Sequence, residues 1–179
     1  PDWVTVDPDT GAVTAKIPAD AAPGDYPVTV KVTYPDGTTE NTTVTIHVAQ
    51  QKDVYDPKYS DPKPGEAGAT LEVPGPKNRD GKPLPAGTSY TKVNGPDWVT
   101  VDPDTGAVTA KIPANAAPGD YPVKVRVTYP DKTSEVITLI IKVPGPTAGN
   151  PLEKTGSTAQ LALLAALLST MVGGLLLYS

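Results

Sequence analysis

The stretch Y-P-V-K-V-R-V-T-Y, residues 121 to 129, decides the fold of this chain. Its apolar residues Val123, Val125 and Val127 fall on every second position, with cations between them. Because successive side chains of a strand point to opposite faces, this period of two predicts a β-strand with one buried face and one face in water. The closely similar stretch from residue 26 to 34 predicts a second strand of the same kind.

An internal repeat organises most of the chain. Residues 1–48 and 96–143 align without a gap, and 38 of the 48 aligned positions are identical. Such self-similarity is the signature of a tandem array in which each repeat is one structural unit. The stretch 49–95 completes the second unit. The sequence therefore predicts a complete module over 52–143 and the C-terminal half of a preceding module over 1–48.

Differences between the two copies follow the alternation. In the last strand, Thr45 and His47 of the first copy are replaced by Ile140 and Lys142 in the second, while the alternating positions stay aliphatic: Val44, Ile46 and Val48 align with Leu139, Ile141 and Val143. Substitution at alternate positions is expected when one face of a strand is buried and the other is wet. The comparison therefore predicts that the same aligned strand positions are buried, and the same positions exposed, in both copies.

Turn residues mark where the predicted strands end. The stretch D-P-D-T-G at 7–11 and again at 102–106 predicts a type I turn closed by a left-handed glycine. Pro-Gly at 23–24 and 118–119 predicts a type II turn, in which glycine supplies the positive φ.

One turn position differs between the copies. The turn Y-P-D-G of the first copy carries Gly37, and the second copy has Lys132 at the same place. If this position is left-handed, the lysine costs about 1 kcal/mol. The substitution therefore predicts a strained turn in the second module.

The front half of the complete module is less regular. We expect strands at 53–59, 69–73 and 88–93, and a loop or hairpin turn at 78–81. With the strands of the back half, a module has six to eight short strands separated by turns, which predicts an all-β fold of tandem immunoglobulin-like antiparallel β-sandwich modules. Large aromatic residues dominate such interiors, so Trp98 and Trp3 are predicted as core anchors of the second and first module.

Composition excludes several classes of function. The chain has no cysteine and a single histidine, His47, so disulfides, thiolate metal sites and a cysteine nucleophile are excluded. The net charge of −5 argues against a nucleic-acid partner, which requires a basic stripe. His47 lies on a predicted outward position and is a lysine in the other copy. We therefore expect neither an enzyme nor a cofactor-binding protein.

The C-terminal stretch 157–179 contains no charged side chain. A helix of about 20 residues spans the ~30 Å hydrocarbon core of a bilayer, and residues 159–178 meet that length. This stretch is apolar all round and follows a Pro/Gly linker, which favours a transmembrane helix over a buried core helix. Residues 144–156 are interpreted as that linker together with a short motif.

The repeat resembles a known family. The phrases W-V-T-V-D-P-D-T-G-A-V, A-P-G-D-Y-P-V and V-T-Y-P-D-G-T resemble the Rib/alpha-like (Rib, or YPDG) repeats of Gram-positive surface proteins, and the first phrase is also similar to immunoglobulin-like and cadherin-like modules. The resemblance covers nearly all of 1–143. It implies an exported protein in which tandem β-sandwich modules form a stalk that presents an adhesive upstream region away from the cell wall.

The motif before the apolar stretch resembles an L-P-x-T-G cell-wall sorting signal. It consists of five residues, Leu152, Glu153, Lys154, Thr155 and Gly156. The resemblance implies a sortase that cuts after the threonine and joins it to a cell-wall peptide, which would anchor the protein at the cell surface. Glu153 stands in place of the family's proline, and no Lys or Arg follows the apolar stretch.

Two alternatives remain open at this stage. Asp102, Asp104, Asp120 and Asp131 recur in both copies and could bind calcium, although aspartate is also simply a favoured turn residue. The modules could also bind a host ligand or carbohydrate themselves, which would require an exposed aromatic or basic cluster. Tyr55, Tyr59 and Tyr90 are the aromatic residues expected at the surface.

Overall fold

Twelve strands and one helical turn make up the part of the chain that the computed structural model describes, residues 1–62 and 64–145. In chain order they are β1 (Val4–Val6), β2 (Val13–Ala15), β3 (Gly24–Thr33), β4 (Thr39–Val48), α1 (Gln51–Val54), β5 (Pro57–Lys58), β6 (Thr70–Val73), β7 (Lys77–Asn78), β8 (Ser89–Asn94), β9 (Val99–Val101), β10 (Val108–Lys111), β11 (Gly119–Thr128) and β12 (Ser134–Val143). The prediction of an all-β fold is confirmed for these residues. The predicted sorting motif and membrane helix lie outside them.

The second module is built from two three-stranded antiparallel sheets. One sheet has the order β6-β10-β9 and the other β12-β11-β8, while β5 and β7 form a small separate ladder. Apolar side chains from both sheets form one buried cluster between them. Its members are Val73, Tyr90, Val99, Val108, Ala110, Ile112, Val123, Val125, Val127, Tyr129, Leu139, Ile141 and Val143. The arrangement is a two-layer sandwich around one core.

The longest ladder of the second module joins β11 and β12. Each strand has ten residues, and pairing runs without interruption from Gly119 opposite Val143 to Thr128 opposite Ser134. Val123, Val125 and Val127 are fully buried, and Lys124 and Arg126 between them are exposed. The period of two read from the sequence is therefore confirmed.

The first copy forms only hairpins, β1 with β2 and β3 with β4. Its apolar residues are less covered than their counterparts: Tyr34 is 42% exposed, whereas Tyr129 is 1% exposed. In the second module β8 pairs with the free edge of β11, and a second sheet covers its inner face. Among the described residues, the first copy has counterparts of β9, β10, β11 and β12 but none of β6 or β8, which explains the difference.

The left-handed turn positions are as predicted from the turn residues. Gly11 and Gly106 have φ of +69° and +70°, and Gly37 has φ of +82°. Lys132 has φ of +70° and is the one non-glycine residue with positive φ in the described chain. The second module therefore holds a lysine where the backbone favours glycine.

The two predicted type II turns are wrong. Gly24 and Gly119 have φ of +145° and +156°, far from the roughly +80° of the third residue of a type II turn. Each glycine is instead the first residue of a ten-residue strand. The chain therefore enters the ladder through a glycine whose positive φ residues with a Cβ rarely adopt.

The predicted strand at 53–59 is also largely wrong. Residues 51–54 form the helical turn α1, and only Pro57–Lys58 is a strand. The first N–H groups of a helix lack partners within it. Here the N–H of Gln51 donates to Oδ2 of Asp131 at 2.7 Å, and the N–H of Lys52 donates to Oγ1 of Thr133 at 3.2 Å. Side chains far along the chain therefore stabilise a turn that local sequence does not indicate.

Candidate functional site

The candidate site is the junction between the two copies, formed by Ala19, Gln51, Asp131 and Thr133. The chain leaves the first copy at Val48, the last residue of β4, and starts α1 three residues later. A connection this short leaves little chain to absorb rotation between neighbouring units. The contacts of Gln51 therefore decide how firmly the junction is held.

Asp131 organises the module side of the junction. It lies in the turn between β11 and β12, and only 7% of it is exposed. Its Oδ1 accepts hydrogen bonds from the backbone N–H and the hydroxyl of Thr133, at 2.9 and 2.6 Å, while its Oδ2 accepts from Gln51. Burial raises the pKa of Asp131, but the hydrogen bonds from Thr133 and Gln51 outweigh it, so the pKa lies below its ordinary value.

Gln51 also reaches the first copy. Its side-chain Nε2 donates to the carbonyl oxygen of Ala19 at 2.6 Å. One residue thus bonds through its backbone to Asp131 and through its side chain to the preceding copy. Sequence reasoning missed Gln51, because its two partners lie 80 residues later and 32 residues earlier and glutamine carries no motif.

The second module has its two chain ends at opposite ends of one hairpin. Gln51 is held at the turn that joins β11 to β12. The chain leaves the module at Val143, at the far end of β12, where it pairs with Gly119. At about 3.4 Å per residue, ten residues of strand separate these two ends by about 30 Å.

The four carboxylates considered for calcium are not brought together. Asp120 lies near the start of β11, opposite Lys142, whereas Asp131 lies in the turn at the other end of the same hairpin. Asp102 accepts hydrogen bonds from the N–H groups of Asp104 and Thr105 within its own turn. The hydrogen bonds from Thr105 and then from Asp104 hold the pKa of Asp102 below its ordinary value.

Across residues 1–62 and 64–145, no group of three or more His, Cys, Asp or Glu residues is arranged to hold a metal ion. The recurring aspartates act locally instead. Asp7 of the first copy accepts from the N–H groups of Asp9 and Thr10, as its counterpart does in the second copy. These side chains stabilise turns in both copies.

The two tryptophans lie at the margin of the interior. Trp98 is partly buried and packs against the core, with its ring edge-to-face on Tyr121 at a centroid distance of 5.2 Å. Trp3 meets Tyr26 at the same distance in the first copy. The buried cluster of the second module contains Tyr90 and Tyr129 among mostly aliphatic residues, and Trp98 packs against it without being fully buried.

The aromatic set expected at the surface is wrong. Tyr90 is 7% exposed and belongs to the core, and Tyr55 and Tyr59 pack against it half-buried. Tyr55 stacks on Tyr129 at 5.7 Å, and the hydroxyl of Tyr59 donates to the carbonyl oxygen of Gly106. Burial raises the pKa of both Tyr59 and Tyr90. These residues join the front half of the module to its back half.

The repeat matches the family model described as the Long Rib domain twice, over residues 1–49 and 52–144. The chain belongs to the Long Rib domain family. The chain is also similar to the C protein alpha-antigen of Streptococcus agalactiae serotype Ia, with 35% identity over 124 residues. The aligned residues cover 68% of this chain and 11% of that protein. The match thus spans about a tenth of that protein's length. Together they mark a repeat region of a Gram-positive surface protein.

Solved structures give more distant likenesses to these Long Rib domains. An endo-fucoidan hydrolase of glycoside hydrolase family 107 is 19% identical with a TM-score of 0.40, over 84% of this chain and 24% of that one. Drosophila N-cadherin EC1-4 is 18% identical with a TM-score of 0.37, over 80% of this chain and 40% of that one. Likenesses at this level say nothing about activity or ligands.

No helix within residues 1–62 and 64–145 has the length and apolar character needed to cross a bilayer. The residues predicted to do so, 159–178, and the sorting motif from Leu152 to Gly156 lie outside the described part of the chain. Anchoring therefore stays a prediction from sequence.

Proposed function

We propose that this chain is a segment of a stalk that holds an upstream region of a surface protein away from the cell envelope. The observation that carries the proposal is the placement of the chain ends at opposite ends of the β11–β12 hairpin. Modules joined through such ends add length along one direction. A repeat with adjacent ends would instead fold back on its neighbour.

The junction supports the same proposal. Only two residues, Ala49 and Gln50, lie between β4 and α1. The hydrogen bond from Gln51 to Ala19 adds a direct contact between the copies. A short connection with a contact across it limits bending, which a spacer requires.

Small-angle X-ray scattering of arrays with one, two and four copies of residues 49–143 tests the stalk. We expect the maximum dimension to grow by a constant step of at least about 30 Å per repeat, the length of one ten-residue hairpin. A maximum dimension that grows only as the cube root of the mass would contradict a stalk, because such growth is expected of a compact cluster of modules.

We further propose that the chain is anchored through Thr155. The support is the sequence alone: the motif from Leu152 to Gly156 and the apolar stretch 159–178. Incubation of the full chain with a sortase and an amine nucleophile should release the residues after Thr155, detected by mass spectrometry. Glu153→Pro restores the proline of the family motif and serves as a matched control that should react faster. A chain cut in neither form would leave the apolar stretch as the anchor.

A further inference from the structure

The outward face of the β11–β12 hairpin differs systematically from that of its counterpart in the first copy. Ten of the 48 aligned positions differ, and six of these lie on this one face. The six pairs are Thr29 and Lys124, Lys31 and Arg126, Thr39 and Ser134, Asn41 and Val136, Thr45 and Ile140, and His47 and Lys142. Four of the six changes add a permanent cation or an aliphatic side chain.

The changed residues form one continuous surface. The ladder places Arg126 directly opposite Val136 and Lys142 opposite Asp120, with Lys124 and Ile140 between them on the same side. Directly opposed residues have Cβ atoms about 4.5–5.5 Å apart. We call the surface formed by Lys124, Arg126, Val136, Ile140 and Lys142 the basic–apolar face.

The basic–apolar face is open to solvent. Val136 and Ile140 are 49% and 38% exposed, and both lie on the same side of β12. Within residues 1–62 and 64–145, its three cations form no salt bridge. The whole chain has a net charge of −5, yet this face carries three cations, with Asp120 opposite Lys142 and Asp61 lining the same cleft as Ile140 and Lys142. The face is therefore a local positive area with exposed aliphatic groups.

We propose that the basic–apolar face docks on the surface of a membrane that contains anionic lipids. Lysine and arginine are attracted to anionic headgroups, and aliphatic side chains gain by entering the boundary between headgroups and acyl chains. A soluble polyanion would satisfy the cations but leave Val136 and Ile140 in water. The combination of charge and apolar surface therefore favours a lipid surface.

The position of the module agrees with this partner. Fifteen residues, 144–158, separate the end of β12 from the apolar stretch predicted to enter a bilayer. The first copy, one repeat further from that stretch, carries the polar version of the face. Docking goes beyond the proposed stalk, and either proposal can fail while the other stands.

The test uses the full chain with one label at a time, since the chain has no cysteine of its own. An environment-sensitive fluorophore is attached at Thr138→Cys, opposite Lys124 on the basic–apolar face, or at Thr43→Cys, the same position in the first copy. Each is mixed with phosphatidylcholine vesicles with or without phosphatidylglycerol. The apolar C-terminal stretch is common to all labelled chains, but it lies nearer in sequence to position 138 than to position 43, so variants of the face itself must separate its insertion from docking.

We expect a blue shift at position 138 with phosphatidylglycerol vesicles, a loss of that shift at high salt, and no shift at position 43. In a variant with Lys124→Thr, Val136→Asn, Ile140→Thr and Lys142→His, which installs the residues of the first copy, the shift at 138 should be lost. Lys124→Glu alone should also reduce it, and circular dichroism checks that both variants fold.

Three results with vesicles would overturn membrane docking. They are no shift at position 138, equal shifts at 138 and 43, and a shift that survives the four substitutions in a folded chain. Soluble polyphosphate provides the remaining comparison. If it produces the same shift as vesicles, the face binds polyanions and the lipid surface is the wrong partner.

Discussion

The backbone N–H of Gln51 donates a 2.7 Å hydrogen bond to Oδ2 of Asp131, which lies 80 residues further along the chain. This bond ties the first helical turn of the second module to the hairpin turn between β11 and β12. It closes the module at the end where the chain enters from the preceding copy. The contribution of this hydrogen bond to the stability of the second module, and the range of motion between neighbouring modules, can be tested separately.

Asp131→Asn should lower the stability of the second module at neutral pH by about 1–2 kcal/mol, because hydrogen bonds to a buried charged acceptor become hydrogen bonds to a neutral one. The hydrogen bonds lower the pKa of Asp131 in the folded state. Its contribution is therefore present above the ordinary pKa of about 3.9 and is lost as the pH falls through the folded pKa. Thermal melts between pH 7 and pH 2 should show a smaller acid decline for the variant. An identical decline would assign the acid sensitivity to other carboxylates.

Gln51→Ala should loosen the junction without destabilising the second module. The substitution removes the side-chain bond to Ala19 but keeps the backbone bond to Asp131. In a two-repeat array we expect an unchanged melting temperature and a broader distribution of distances between labels on neighbouring modules, measured by pulsed electron paramagnetic resonance. An unchanged distribution would show that the two-residue connection alone holds the junction.

Lys132→Gly should raise the melting temperature of the second module. Lys132 has φ of +70°, and glycine relieves a strain of about 1 kcal/mol, partly offset by the greater freedom of glycine in the unfolded chain. The net gain should be about 0.5 kcal/mol, or a few degrees for a module of this size. Lys132→Ala keeps a Cβ at the same φ and is the matched control, in which no gain is expected.

Gly106→Ala should destabilise the second module by about 2–4 kcal/mol, because the left-handed strain adds to overpacking. A Cβ at Gly106 would lie 2.7 Å from Cδ of Pro76 and 2.8 Å from the ring of Tyr90. Gly11 has the same φ and nothing within 4 Å of the corresponding Cβ. Gly11→Ala should therefore leave the melt of the second module unchanged.

Residues 50–145 should fold alone, and residues 1–48 should not. The core of the second module closes within residues 55–143, whereas apolar residues of the first copy such as Tyr34 and Val44 are more than 40% exposed. A cooperative thermal transition is expected from the longer piece only. A cooperative melt from residues 1–48 would mean that a half-module can close its own core.

The sequence predicted best where one local pattern controls the structure. Alternation over 121–129 predicted the buried face of β11 because strand geometry links spacing directly to side-chain direction. The left-handed glycines at 11 and 106 followed from turn residues alone. The internal repeat strengthened both predictions, since it showed which positions accept a polar or apolar replacement.

The front half could not be predicted as well, because contacts distant in sequence decide it. The helical turn at 51–54 depends on Asp131 and Thr133, which no local pattern of the turn reveals. Burial of Tyr90 likewise depends on the sheet formed by β6, β10 and β9 packing across it. The local sequence around the helical turn and around Tyr90 does not indicate these distant contacts.

The placement of the module's chain ends at opposite ends of the β11–β12 hairpin has a mechanical consequence. If an attached cell or fluid flow pulls on the protein, tension enters each module near the turn and leaves through Val143, so it acts along the strands. Force in this direction runs along β12 and loads in shear the contacts between β12 and the segment that enters the module, among them the hydrogen bond from the N–H of Gly65 to the carbonyl oxygen of Lys142. Bonds loaded in shear share the load, whereas tension across the strands would open them one after another, so each repeat should resist stretching along its length.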